Sequence, residues 1–314
     1  MFDVPTSDIL AHWDAPPASQ LRFIADSRWG QEGLPAGAWF GRVSAVVEAH
    51  DGRIVVFHRG PAIAPVVLFD PATARATSSW DATIGLAHGM RIDPNGHLWL
   101  TDCGRHRVLK TTVDGDVLLE IGTPDVAGTD ERTFNMPTDV AFAPDGSVYV
   151  TDGYGNSRVV QVDSDGRFVR AWGRRGSGQG EFDTPHSVAV APDGTVLVSD
   201  RHNHRIQIFD PDGSYRAEWR HLGATQCLTF GPDGDLWAMT HRSIDEILSF
   251  DSLAGRLVRL DPVTGAVNGW LPTPGHMMHA TPRGELWVAS LSGTVIRFRP
   301  GWLTQEPDGV REHS

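Results

Sequence analysis

The sequence predicts an all-β protein, a six-bladed β-propeller, and three observations carry that expectation. A unit recurs six times, with turn glycines at Gly52, Gly96, Gly146, Gly194, Gly234 and Gly284, spaced by 44, 50, 48, 40 and 50 residues. That period is the length of a four-stranded blade. Two runs rich in apolar residues flank each Pro-Asp-Gly type turn, and after Pro94-Asn95-Gly96 apolar residues alternate with polar ones, which is the pattern of a half-buried hairpin. The 34 glycines sit mostly in Asp-Gly or Asn-Gly turns rather than in low-complexity runs.

Each copy supplies two strands around its turn: VSAVVEAHDGRIVVFHRG, HGMRIDPNGHLWLTDCG, TDVAFAPDGSVYVTDGYG, HSVAVAPDGTVLVSDRH, CLTFGPDGDLWAMTHR and HATPRGELWVASLSG. A third strand such as RVVQVD or RIQIFD usually follows, with room for a fourth. Six such blades in a ring bury their faces against one another and leave only short edges. The repeats run from about 41 to 300 in a single domain, and the segment 1–40, through LRFIADSRWG, is expected to add a strand that closes the last blade. The glycine-rich WGRRGSGQGEF, Trp172 to Phe182, leads into a strand rather than a helix, so it reads as an inter-blade linker and not a phosphate-binding loop. RSIDEILSF, Arg242 to Phe250, reads as a helical excursion.

A formal net charge of −12 argues against nucleic acid or a membrane surface as the main partner. Cys103 and Cys227 are the two cysteines, too few for a disulfide framework. The first residues lack a basic segment followed by an apolar one, and no apolar run is long enough to span a bilayer. The expectation is a cytoplasmic protein acting on a small molecule or short peptide, with no oligomeric state indicated.

Aligning the six copies exposes the chemistry. Eight residues before each turn glycine stand Ser44, His88, Thr138, His186, Gln226 and His276, so histidine opens the second, fourth and sixth blades. Alternate blades of a six-fold ring are related by 120°, and three imidazoles at one height converge on the axis. Three His ligands with an open fourth position form the arrangement of a catalytic zinc (Zn²⁺) site. The competing reading is that each His hydrogen-bonds a channel neighbour. In PGHMMHATPRG the repeat phase selects His276, and strict strand alternation puts His279 on the opposite face.

Seven residues after each turn glycine stand Arg59, Cys103, Gly153, Arg201, His241 and Leu291, with Tyr154 following Gly153. Arg59, Arg201 and Tyr154 would form a pocket able to hold a carboxylate and move a proton. An arginine after Ser-Asp can equally pair with its own blade's aspartate, so the residues alone leave both roles open. Asp102, Asp152 and Asp200 read as blade-closing hydrogen-bond partners, and His106, His202 and His204 as structural or solvated.

The Pro-Asp-Gly hairpins with GNSRVV and HNHRIQIF resemble NHL repeats. From about Val43 to Phe298 the chain resembles the peptidyl-α-hydroxyglycine α-amidating lyase family, most specifically in VSAVVEAHDGRIVVFHRG, HGMRIDPNGHLWLTD, PTDVAFAPDGSVYVTDGYGNSRVVQ and TPHSVAVAPDGTVLVSDR. The resemblance implies zinc on His88, His186 and His276, with Arg59, Tyr154 and Arg201 around it. It implies cleavage of an N-acyl-α-hydroxyglycine carrying a free carboxylate to an amide and glyoxylate: zinc acidifies the hydroxyl, Tyr154 as tyrosinate takes its proton, and an arginine holds the carboxylate. The chain departs from the family at Pro274-Gly275-His276-Met277. Met277 replaces the acid that would help backbone groups of Val46 and Met90 hold calcium (Ca²⁺), which counts against that site. The family's secretory disulfides and an attached copper monooxygenase domain are absent from this sequence. Two rival readings remain: a metal-dependent propeller hydrolase of the lactonase kind, against which stands the lack of acids at the opening positions, and a non-catalytic NHL interaction module that binds no metal.

Overall fold

The computed structural model describes residues 21–244 and 255–301. It is a six-bladed β-propeller of six four-stranded antiparallel sheets. Blades 1 to 5 span 43–80, 87–121, 139–172, 185–219 and 224–272. Blade 6 takes three strands from 277–300 and its outermost strand from Phe23–Asp26, which pairs with Thr294–Pro300. Of the segment expected to form a helical excursion, Arg242 to Phe250, residues 245–250 lie outside the described residues. The stretch 173–184 connects blades 3 and 4 and carries only an isolated bridge, Arg175 to Phe182.

The opening strands are Val43–Glu48, Ala87–Ile92, Asp139–Phe142, Pro185–Val190, Ala224–Phe230 and Met277–Ala280. Each lies against the next all the way round, and the sixth returns to the first. They line the axis, as innermost strands must in a ring of radial sheets. Turn glycines at positive φ, Gly96 at 85° for example, close the hairpins that follow. Between blades the faces are packed with Val, Leu, Ile and aromatic side chains. At the junction of the last blade with the first, Trp29 packs on Trp287 at 4.6 Å between ring centroids and on Phe69 at 5.3 Å.

Buried aspartates at the ends of the second strands tie blades 2, 3 and 4 to their connectors. Asp102 accepts from the backbone of Gly85 and Leu86 and from Arg107. Asp152 accepts from Asn135 N, Asn156 and Arg158. Asp200 accepts from Asp183 N, Asn203, Arg205 and Gln207. In these three blades the pair-forming arginine, Arg107, Arg158 or Arg205, is therefore the one that begins the third strand. Arg201, directly after Asp200, is left for the channel. Among the described residues no helix is long and apolar enough to cross a membrane.

Candidate metal centre

The structure brings His88, His186 and His276 together at one mouth of the central channel. All three are buried, and their ligand-capable nitrogens lie within 4.8 Å of one another. In each ring Nδ1 meets a backbone carbonyl of the next blade: His88 with Thr138 O at 2.7 Å, His186 with Gln226 O at 2.6 Å, His276 with Ser44 O at 2.7 Å. A carbonyl can only accept, so Nδ1 carries the proton and Nε2 presents its lone pair. The result is three neutral imidazoles, locked in one tautomer and aimed at a shared point. Such outer-shell bonds are what orient histidines around a metal, and the donor set suits zinc.

The accepting residues, Ser44, Thr138 and Gln226, occupy the same repeat position as the histidines. Ligand-bearing and carbonyl-bearing blades therefore alternate. Side-chain hydroxyls stitch the ring further, Ser44 donating to Ala87 O and Thr138 to Pro185 O, each at 2.9 Å.

Local backbone irregularity aims these groups. In blades 1, 2, 4 and 5 the opening residue sits where the strand register slips, so Ser44, His88, His186 and Gln226 are extra residues against their partner strands. A bulge re-aims a side chain that strict alternation would send elsewhere. His279, the other histidine of that segment, stays out of the triad and lies further along the channel, lining with Arg91, Ile92, Phe142 and Phe230 a cavity of about 230 Å³. His276 meets the other two histidines because it precedes the regular part of its strand, as His88 does.

Tyr154 Oη lies 2.9 Å from His88 Nε2 and 3.1 Å from His186 Nε2. Arg201 sits over the Tyr154 ring, 5.4 Å from its centroid, and donates to Gln226 Oε1 at 3.1 Å, while its buried Nε has no partner among the described residues. Arg59 Nε donates to Ser44 Oγ and Ala87 O, both at 2.8 Å. Neither arginine has a carboxylate within ion-pair distance among the described residues. Beside Arg59 a cavity of about 460 Å³ opens between residues 58–65 and 81–87. At the equivalent position Cys103 is buried and donates to Pro137 O, and His241 Nε2 lies 3.2 Å from Gly275 O. His106 Nδ1 accepts from Met136 N, and His202 lies against Thr184 and Arg201, away from the triad.

Electrostatics keep the triad neutral. Burial, then the neighbouring His276 and Arg59 charges, hold His88 well below the ordinary imidazole range. Burial and Arg201 do the same to His186, and burial with Arg59 brings His276 to about 3. Unfolded imidazole titrates near 6.5. Between that value and about 3 the unfolded chain binds a proton that folded His276 does not, so stability falls as pH drops below 6.5. From pH 7 to pH 5, His276 alone is expected to remove about 2 kcal/mol from the metal-free protein, and calorimetry across that range checks the sign.

Gly153, next to Tyr154, lets the backbone of blade 3 pass close to that of blade 4. A Cβ there would lie 1.9 Å from Pro185 O in the next blade. Gly153→Ala is therefore expected to destabilise the protein by about 1–3 kcal/mol and to displace the tyrosine, measurable as a lower melting temperature.

The NHL repeat family model matches residues 85–110, 134–162 and 182–209. The chain is 34% identical over 194 residues to peptidylglycine alpha-amidating monooxygenase of Rattus norvegicus, covering 53% of this chain and 19% of that protein. It is 28% identical over 178 residues to peptidyl-alpha-hydroxyglycine alpha-amidating lyase 1 of Drosophila melanogaster, covering 48% of this chain and 32% of that protein. The chain thus spans about a fifth and a third of these two relatives. Among solved structures, streptogramin B lyase superposes with a TM-score of 0.60 over 88% of this chain and 97% of its own, at 10% identity, which speaks to fold alone. By repeat and architecture the chain is a six-bladed propeller carrying NHL repeats, and over about half of its length it is similar to peptidyl-α-hydroxyglycine α-amidating lyases.

Proposed function

We propose that the protein is a zinc-dependent carbon–nitrogen lyase that converts an N-acyl-α-hydroxyglycine to an amide and glyoxylate. The observation that carries this reading is a cluster of three neutral, tautomer-locked imidazoles flanked by two arginines with no carboxylate within ion-pair distance among the described residues. Such a pocket is short of negative charge and suits an anionic substrate that also offers an oxygen to a metal. A zinc ion held by His88, His186 and His276 would supply Lewis acidity, easing loss of the substrate's hydroxyl proton.

The chain's own residues do the rest. Arg59 and Arg201 hold the carboxylate from either side of the triad. Tyr154 Oη, as the phenolate, takes the hydroxyl proton. The O–H electrons form the new C=O bond, the C–N bond breaks, and the proton passes to the departing amide nitrogen. Products are the neutral amide and glyoxylate, with no external reductant or oxidant. The cavity beside Arg59 has room for part of the acyl group. The relatives' names, which include amidating lyases, support the same reaction type.

The test is elemental analysis of the purified protein together with glyoxylate release from N-benzoyl-α-hydroxyglycine, before and after chelation. Stoichiometric zinc and chelator-sensitive glyoxylate are expected. Metal-free protein without turnover would overturn the proposal in favour of an interaction module. Bound metal without glyoxylate would overturn the substrate and leave a hydrolase reading of the same centre.

A further inference from the structure

Three residues beyond His88 on the same strand, Arg91 enters the central channel below the triad with its side chain 12% exposed. Its Nε and Nη2 grip the fully buried Asp139 carboxylate at 2.9 and 2.6 Å. Nη1 reaches Met278 O at 3.3 Å, and Nη2 reaches Leu228 O at 3.0 Å, Ser187 Oγ at 3.3 Å and Cys227 Sγ at 3.4 Å. Asp139, Ser187, Leu228 and Met278 belong to blades 3, 4, 5 and 6. With its own blade 2, one guanidinium therefore ties five of the six blades together. The pocket is itself ordered, since Ser187 Oγ donates to Asp139 Oδ2 at 2.6 Å and accepts from Leu228 N at 3.0 Å.

Apart from the cysteine sulfur, this donor set is a carboxylate, a hydroxyl and two backbone carbonyls, the ligands a hard divalent cation takes. The family resemblance would put a calcium ion in this stretch of channel, on Val46, Met90 and an acid at 277. The residues present do not fit that ion: Met277 is a buried apolar side chain, and a permanent positive charge already lies in the channel next to Met278. We propose that Arg91 is the channel's built-in cation, bridging the blades beneath the histidine triad in place of a bound divalent ion, so that the fold takes no calcium.

Thermal unfolding of metal-stripped protein with and without millimolar calcium tests this without reference to catalysis. The wild-type melting temperature is expected not to move. Arg91→Ala, which leaves Asp139 buried and unpaired, is expected to melt about 10 °C lower, and calcium should restore part of the loss by occupying the freed oxygens. Arg91→Lys keeps the charge with fewer directed donors and should fall between; it carries the comparison if the alanine variant does not fold. Calcium raising the wild-type melting temperature, calcium co-purifying in stoichiometric amount, or Arg91 variants melting like wild type would each overturn the proposal. So would a destabilised Arg91→Ala that ignores calcium.

Discussion

Alanine at His186 is expected to weaken zinc binding by more than about a hundredfold and to abolish glyoxylate release, while the propeller still folds. Loss of a supporting outer-shell group alone lowers metal affinity about 10–100-fold, and His186 is one of three direct donors. The variant also leaves the Gln226 carbonyl without its hydrogen-bond donor, which costs about 1–3 kcal/mol. Circular dichroism should therefore remain native with a modestly lower melting temperature. His50, exposed on a turn, serves as the control: His50→Ala should retain metal and turnover. Equal metal retention in the two variants would remove the triad from consideration as the metal site.

Tyr154→Phe is expected to lower kcat by about 10²–10⁴-fold, the range for loss of a positioned proton-transfer group, with KM nearly unchanged and zinc still bound. The phenyl ring keeps its place beside Arg201; only the oxygen between His88 and His186 is removed. Arg201→Met should show the complementary pattern. There KM should rise about 10–100-fold, because a charge-assisted contact to the substrate carboxylate is lost. Steady-state kinetics on one substrate separates the two, and a Tyr154→Phe variant at full turnover would assign the proton transfer to another group.

The propeller was legible because the six turn glycines keep one phase along the chain. Once the copies are superimposed, the alternation of His with Ser, Thr and Gln at one offset marks a single ring of positions. What the pattern does not carry is the bulge at that position. Period-two reasoning has no term for an inserted residue, so the aim of the opening side chains is not in the pattern. Nor does it register main-chain acceptors, since any residue at 44, 138 or 226 offers a carbonyl. The choice between Arg201 and Arg205 as partner of Asp200 depended on which side chain the backbone turns inward at the strand end. Arg91 gave no signal, because its partners lie on four other blades, as far away in sequence as Met278.

The bond from His276 Nδ1 to Ser44 O joins residues 232 positions apart and crosses the junction where the last blade meets the first. That junction is also where a ring made from one open chain can part. Any ion that binds the triad and not the opened ring therefore acts as a clasp. Its binding free energy adds to the work of separating Met277–Ala280 from Val43–Glu48, and depletion of the ion loosens that junction before the others. Amide hydrogen exchange in Val43–Glu48 should accordingly slow on zinc addition more than exchange at the opening strands of blades 3 and 4. The centre that would activate substrate is, on this geometry, also the lock on the circle.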